Sequence, residues 1–221
     1  MTRVLNAGRR APLSGEVRSV VVFLHGYGAN GADLLGLADP LAEHLPDTLF
    51  VAPDAPEACA GSPMGFQWFP IPWLDGSSEE EAMRSMAASV DDLNAFLDAL
   101  MVDEDVLPEQ VVLFGFSQGT MMALYVAPRR PDAVAGIVAF SGRLLSPETF
   151  RDEVVVRPPV LLVHGDADDM VPPQSLPEAA EALQGAGFKE VYAHVMKGTG
   201  HGIAPDGLSV ALAFMRDKLG L

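Results

Sequence analysis

A serine flanked by glycines is the residue of this chain best placed to do chemistry. Gly115-Phe116-Ser117-Gln118-Gly119 follows an apolar run of strand length and directly precedes a helical segment. This context is typical of a tight strand-to-helix turn that exposes the serine hydroxyl as a nucleophile. The strand and the helix crowd each other there, which requires small residues two positions before and after the serine. We therefore predict Ser117 as a nucleophile; the alternative is a glycine-rich turn without a catalytic role.

A serine hydroxyl needs a neighbouring base, and histidine is the usual one. Among the five histidines, His201 lies in a glycine-rich loop after the last predicted strand. Parallel α/β proteins place reactive groups in such loops, at the carboxyl ends of strands. We therefore predict His201 as the base. His44 is expected at the surface, His194 inside a strand, and His25 and His164 before glycines at strand ends.

The base in turn needs a carboxylate that orients it and stabilises its cation. Three aspartates follow the predicted strand 160–163, namely Asp166, Asp168 and Asp169, and spacing alone does not separate them. Asp166 is suited to bracing the turn through the local backbone. Asp168 reaches further from the strand end, and we favour it as the acid.

An oxyanion hole requires two backbone N–H groups aimed at the developing negative charge. One is expected from Gln118, the residue after the predicted nucleophile. The other is expected from His25-Gly26-Tyr27-Gly28 at the end of an early strand, where glycines allow an N–H to point inwards. Tyr27 is the predicted donor; the alternative is a glycine turn without catalytic use.

Short β-branched runs alternate with helical patterns along the chain, which indicates an α/β fold with a mostly parallel sheet. Strands are predicted at 17–24, 49–52, 111–116, 134–140, 160–163 and 191–196. Helices are predicted at 34–45, 79–101, 118–127, 176–184 and 209–219. Ser78 and Glu81 have the form of a capping box for the longest helix. Apolar residues at spacings of three and four predict one buried stripe on that helix, formed by Met83, Met86, Val90, Leu93, Leu97 and Leu100.

Residues 55–76 interrupt this alternation with a proline-rich segment. It contains four large aromatic side chains, Phe66, Trp68, Phe69 and Trp73. A connection of this length is uncommon and often functional. Two interpretations stay open: an ordered loop whose aromatic side chains pack against the body, and a wall of a substrate pocket.

Composition limits the classes of partner. The chain has 221 residues and a formal net charge of −16, with 30 acidic against 14 basic residues. The length predicts one domain over 1–221. Because the chain is so acidic, we expect no nucleic-acid partner and no stable membrane association. The single cysteine, Cys59, excludes an intrachain disulfide, and residues 1–12 lack the apolar core of a signal peptide, so we expect a cytoplasmic protein.

Four motifs occur together in an order known from one family. They are Leu24-His25-Gly26-Tyr27-Gly28, Gly115-Phe116-Ser117-Gln118-Gly119, His164-Gly165-Asp166-Ala167-Asp168 with Val171-Pro172, and Gly200-His201. In this respect the chain resembles, over about 17–219, the phospholipase/carboxylesterase family of α/β-hydrolases, which includes acyl-protein thioesterases and small bacterial carboxylesterases. The resemblance implies an α/β-hydrolase fold, and the chain has no insertion long enough for a large cap domain.

By motif position, the resemblance implies Ser117 as the nucleophile, Asp168 as the acid and His201 as the base. It implies the backbone N–H groups of Tyr27 and Gln118 as the oxyanion donors. No metal or organic cofactor is needed for this chemistry.

The resemblance also implies that Trp68 and Phe69 line the acyl pocket. Ala29 and Pro70 stand where the thioesterases usually carry aspartate, and Gly202 stands where many members have serine. These departures fit the small bacterial esterases better than enzymes that depalmitoylate proteins.

We therefore expect a serine carboxylesterase that acts on small-molecule esters with short or medium acyl chains. Acyl thioesterase or lysophospholipase activity on the same triad is an alternative within enzymes. A non-catalytic protein that binds a small ligand on the same fold is the alternative from another class. Met83, Met86 and the aromatic loop could also support a homodimer, although the helical period of the methionines favours the core.

Overall fold

A computed structural model of the protein describes residues 2–59 and 61–221. Met1, in the N-terminal segment 1–12, and Ala60, in the proline-rich segment 55–76, lie outside the described residues. The strands are β1 (Ala7–Arg10), β2 (Ser19–Leu24), β3 (Thr48–Pro53), β4 (Glu57–Ala58), β5 (Phe66–Gln67), β6 (Val111–Phe116), β7 (Gly136–Phe140), β8 (Val160–Gly165) and β9 (Val191–Met196). The helices are α1 (Gly31–Leu35), α2 (Ala38–Ala42), α3 (Pro72–Asp75), α4 (Glu79–Asp103), α5 (Gln118–Val126), α6 (Pro147–Glu153), α7 (Ser175–Gly185) and α8 (Pro205–Lys218).

A seven-stranded sheet forms the centre, in the order β1-β3-β2-β6-β7-β8-β9. Its pairs are parallel except for the antiparallel pairing of the edge strand β1 with β3. The predicted α/β fold with a mostly parallel sheet is therefore confirmed. Strands β4 and β5 pair separately as a small antiparallel ribbon.

Helices cover both faces of the sheet, and each face has its own apolar core. Val20 and Val22 of β2 face one core, where they join Leu93 of α4 and Leu183 of α7. Val21 faces the other core, together with residues of α1, α2 and α8. Burial on both faces explains why these strands are continuously apolar. Within the described ranges, no helix combines the length and the apolar character needed to cross a membrane.

The predicted helix 34–45 is instead two short helices, α1 and α2. Pro40 lacks a backbone N–H, so it is tolerated only in the first turn of a helix. Helix α2 accordingly begins two residues before it, at Ala38. The apolar pattern did not predict the short polar strand β1, the two-residue strands β4 and β5, or the helices α3 and α6, which each begin with proline.

The predicted buried stripe of α4 is correct only in its second half. Leu93, Leu97 and Leu100 are buried, whereas the side chain of Met83 is 65% exposed and Met86 is only partly buried. Helix α4 has 25 residues and is about 37 Å long, whereas a strand of six residues spans about 20 Å. Part of α4 therefore has no strand to pack against, and its first turns instead line a groove with the proline-rich segment. The predicted placement of Met83 and Met86 in the core is wrong.

Candidate active site

Ser117 occupies a strained turn between β6 and α5. Its backbone angles are φ 54° and ψ −115°, a combination that non-glycine residues rarely adopt and that costs about 1–3 kcal/mol. The Ser117 N–H donates to the carbonyl oxygen of Phe140 at 2.9 Å, which ties the turn to the end of β7. The turn therefore holds the hydroxyl at the carboxyl edge of the sheet.

Glycines on both sides make this turn possible. A Cβ atom on Gly119 would overlap with the carbonyl of Leu24, and one on Gly115 would lie 2.5 Å from the backbone of Thr120. Neither backbone neighbour has room to move aside. The requirement for small residues two positions from Ser117, predicted from the sequence, is confirmed.

The structure brings the three predicted triad side chains together in one hydrogen-bonded chain. The Nε2 atom of His201 lies 3.0 Å from the Oγ atom of Ser117. Its Nδ1 atom lies 2.8 Å from the Oδ2 atom of Asp168. Ser117 and His201 are 84 positions apart in the sequence and meet because β6 and β9 end at the same edge of the sheet.

Only one of the three candidate aspartates contacts His201. Asp168 is buried, and its second oxygen accepts hydrogen bonds from the N–H groups of Met170 and Val171, both at 2.9 Å. Asp166 turns the other way and accepts from the Gly198 N–H at 2.6 Å. Asp166 therefore braces the loop that carries His201, and Asp169 is exposed.

The electrostatics of Asp168 fix the orientation of the histidine. Burial raises the pKa of Asp168, but the hydrogen bonds from His201 and from two backbone N–H groups outweigh it, so the pKa lies below its ordinary value. An ionised carboxylate accepts the proton on Nδ1 of His201. The lone pair on Nε2 then faces the Ser117 hydroxyl, as a general base requires.

Two backbone N–H groups beside Ser117 are free to bind an oxyanion. Gln118 is the first residue of α5, and its N–H has no acceptor within the helix. The Tyr27 N–H donates to no backbone or side-chain acceptor in residues 2–59 and 61–221. Gly26 lies against Ser117, since a Cβ placed on it would be 3.2 Å from the Ser117 Cβ. Both predicted oxyanion donors are thus neighbours of the serine.

The Gln118 side chain has a second function that the motif did not reveal. It is 1% exposed, and its Oε1 atom accepts from the Trp68 N–H at 2.9 Å. Its Nε2 atom donates to the Phe69 carbonyl at 2.8 Å. Gln118 therefore ties the proline-rich segment to the start of the nucleophile helix. The polar Gln118 side chain at the start of a mostly apolar helix was the feature of the sequence that could have indicated this contact.

The prediction that Trp68 lines a pocket is wrong. The Trp68 side chain is completely buried, and its indole N–H donates to the His25 carbonyl at 3.0 Å. Phe69 is only partly buried and does line a groove. The two adjacent side chains therefore face different surroundings, Trp68 the core and Phe69 the groove.

The groove next to the triad is mainly apolar and has a volume of about 340 Å³. Its walls come from the proline-rich segment, the first turns of α4, the first turn of α5, the loop after β7 with Arg143, and the loop after Asp168. The lining includes Phe69, Trp73, Met83, Met86, Met121 and Met170. Methionine side chains are flexible and adapt to ligands of different shape. Met121 lies one helical turn after Ser117, and Met170 lies two residues after Asp168, so the groove adjoins the triad and can accept an apolar chain.

Comparisons with known proteins agree with this geometry. The family model described as Phospholipase/Carboxylesterase matches residues 12–219. Acyl-protein thioesterase 1 of Saccharomyces cerevisiae is 30% identical over 232 residues, which cover 97% of this chain and 99% of the relative. Esterase YpfH of Escherichia coli is 27% identical over 200 residues, which cover 90% of this chain and 82% of the relative.

Among solved structures, the crystal structure of esterase PE8 superposes with a TM-score of 0.92 and 40% sequence identity. The match covers 98% of this chain and 100% of that chain. Family model, relatives and solved structure therefore agree over nearly the full length. The chain belongs to the phospholipase/carboxylesterase family of α/β-hydrolases, a family of hydrolytic enzymes.

Proposed function

We propose that the protein is a serine carboxylesterase that hydrolyses small-molecule esters with short or medium acyl chains. The observation that carries this proposal is the hydrogen-bonded chain from Ser117 through His201 to Asp168. The similarity to esterase PE8 at 40% identity supports an esterase over other hydrolases of the same fold.

The proposed reaction begins with attack of the Ser117 Oγ atom on the ester carbonyl carbon. His201 accepts the hydroxyl proton at Nε2, and Asp168 stabilises the imidazolium that forms. The bond to the alcohol oxygen then breaks as His201 returns the proton to it. This leaves an acyl-enzyme on Ser117, which water hydrolyses by the same steps with His201 again as base.

The N–H groups of Tyr27 and Gln118 stabilise the oxyanion in both steps. They are held by the backbone before the substrate binds, so they need no reorganisation during the reaction. Removing one donor of this kind typically lowers kcat by about 10²–10³-fold.

The groove beside the triad supports an apolar acyl chain as the recognised group. Each methylene that leaves water contributes about 0.8 kcal/mol, which allows the groove to favour medium chains over acetyl. The net charge of −16 opposes binding of polyanionic substrates. A neutral ester with an aliphatic acyl group fits both features.

Hydrolysis of a series of nitrophenyl esters by the wild type and by Ser117→Ala tests the proposal. We expect kcat/KM to rise at least about tenfold from the acetyl to the octanoyl ester, because the groove removes methylene groups from water, and not to rise further for the palmitoyl ester. Ser117→Ala should lose activity by about 10⁴-fold or more while keeping its melting temperature. Full activity of Ser117→Ala would reject the assignment of the nucleophile.

Acyl thioesterase activity on the same triad is the second candidate. It is favoured by the thioesterase relatives, such as that of Saccharomyces cerevisiae, and by the apolar groove. Octanoyl oxygen esters and octanoyl thioesters with the same leaving-group size separate the two. A kcat/KM value higher for the thioester by about tenfold or more, corrected for its intrinsic reactivity, would replace the carboxylesterase assignment.

A further inference from the structure

A buried histidine outside the triad contacts the backbone of the proposed oxyanion hole. The ring of His25 is completely buried. Its Nε2 atom accepts a hydrogen bond from the Ala55 N–H at 2.9 Å, so Nε2 carries no proton. Its Nδ1 atom then carries the proton and donates to the Gly26 carbonyl oxygen at 2.8 Å. Both ring nitrogens are therefore used, and the neutral tautomer is defined.

The carbonyl that His25 holds belongs to the same peptide unit as the Tyr27 N–H. No peptide bond between described residues is cis, and in a trans peptide the C=O and N–H groups point in opposite directions. The Ala29 N–H also donates to the Gly26 oxygen, at 3.2 Å. With that oxygen held on one side, the Tyr27 N–H must point to the other.

The Tyr27 N–H belongs to the residue that follows the point where the backbone meets the nucleophile. Gly26 lies against Ser117, and in the part of the chain that the structure describes the Tyr27 N–H has no acceptor. Gly26 has no Cβ to restrict rotation of the following peptide. A rotated peptide would present the Gly26 oxygen, with its partial negative charge, where the oxyanion must bind. Other contacts must therefore fix the peptide, and these are the hydrogen bonds that the Gly26 oxygen accepts from the buried His25 ring at 2.8 Å and from the Ala29 N–H at 3.2 Å.

We propose that His25 is a positioning residue that holds the Gly26–Tyr27 peptide in the orientation needed for oxyanion binding. This inference rests on the proposed function. His25 touches no reacting atom and transfers no proton; it acts through the Gly26 carbonyl. Trp68 supports it, because the indole N–H holds the carbonyl oxygen of His25 itself.

A pair of matched substitutions separates positioning from general stability. His25→Asn places an amide donor where Nδ1 lies and loses the contact with Ala55. His25→Gln places a polar group where Nε2 lies and loses the donor to Gly26. Each variant gives up one buried hydrogen bond, so a purely structural role predicts similar losses in both. The positioning role predicts a selective loss of kcat in His25→Gln.

We expect His25→Gln to lower kcat by about 10²–10³-fold with little change in KM, and His25→Asn to keep at least a tenth of wild-type kcat. Affinity for a trifluoromethyl ketone, which forms an oxyanion adduct with Ser117, should fall with kcat/KM in His25→Gln. Equal kcat losses in the two variants, or unchanged ketone affinity alongside a reduced kcat, would overturn the inference.

A crystal structure of His25→Gln gives a readout that does not depend on turnover. A Gly26–Tyr27 peptide rotated relative to the wild type supports the positioning role, and an unrotated peptide refutes it. If the wild type hydrolyses no ester but the Gly26–Tyr27 peptide is rotated in His25→Gln, the proposed function is rejected and the positioning role of His25 is not.

Discussion

Replacing Gln118 by methionine tests how the proline-rich segment is held to the nucleophile helix. The Gln118 side chain is 1% exposed and bonds to the Trp68 N–H and the Phe69 carbonyl. Methionine fills a similar volume but leaves both backbone groups without a partner. Loss of the buried contact with the Trp68 N–H costs about 1–3 kcal/mol and loss of the partly buried contact with the Phe69 carbonyl about 1 kcal/mol, so we expect a total loss of about 2–4 kcal/mol. For a chain of 221 residues, this lowers the melting temperature by at least about 4 °C.

Gln110 provides a matched control for this substitution. It also accepts from a backbone N–H, that of Leu107 at 2.9 Å, and donates to a carbonyl, that of Arg18 at 2.7 Å. These two bonds are exposed, so water replaces them when the amide is removed. Gln110→Met should therefore cost about 1 kcal/mol or less. Urea unfolding of both variants measures the difference, and equal losses of stability would refute the reasoning from burial.

Three further changes have defined outcomes. Gly119→Ala should prevent folding or lower stability by more than about 4 kcal/mol, because the new Cβ overlaps with the Leu24 carbonyl. Gly185→Ala should be tolerated, because nothing lies near the new Cβ there. Thermal unfolding of the two variants measures the difference. Asp168→Asn should lower kcat by about 10³–10⁴-fold with little effect on substrate binding, whereas Asp169→Asn should leave steady-state kinetics unchanged. Burial lowers the pKa of His25, so the unfolded chain binds a proton that the folded chain excludes. The free energy of unfolding should therefore fall as the pH drops below about 6.5. Urea unfolding at several pH values should show a weaker dependence of this free energy on pH in His25→Asn than in the wild type.

The sequence pattern located the sheet and the residues at its carboxyl edge well. Continuous apolar runs matched the central strands because helices bury both faces of the sheet. The short edge strand β1 has no apolar run, and Pro40 divides what the pattern indicated as one helix. Met83 follows the helical period, yet it is exposed and lines the groove, because which part of a long helix packs on the sheet depends on the lengths of the packed elements.

The hydrogen bonds that support the site were beyond a motif-based prediction. Gln118 and Trp68 are 50 positions apart, and His25 and Ala55 are 30 positions apart. Such contacts depend on how closely loops approach after the sheet has formed. The choice among three aspartates was similar, because it depended on which carboxylate turns towards His201. The single domain over 1–221, the homodimer and the cytoplasmic location stay predictions.

Mapping a covalent adduct tests the central claim most directly. A fluorophosphonate reacts with an activated serine, and mass spectrometry of the digested protein identifies the modified residue. We expect one adduct, on Ser117, formed about 10³-fold or more slowly in His201→Ala. An adduct on a different serine, or a labelling rate that does not change in His201→Ala, would contradict the account.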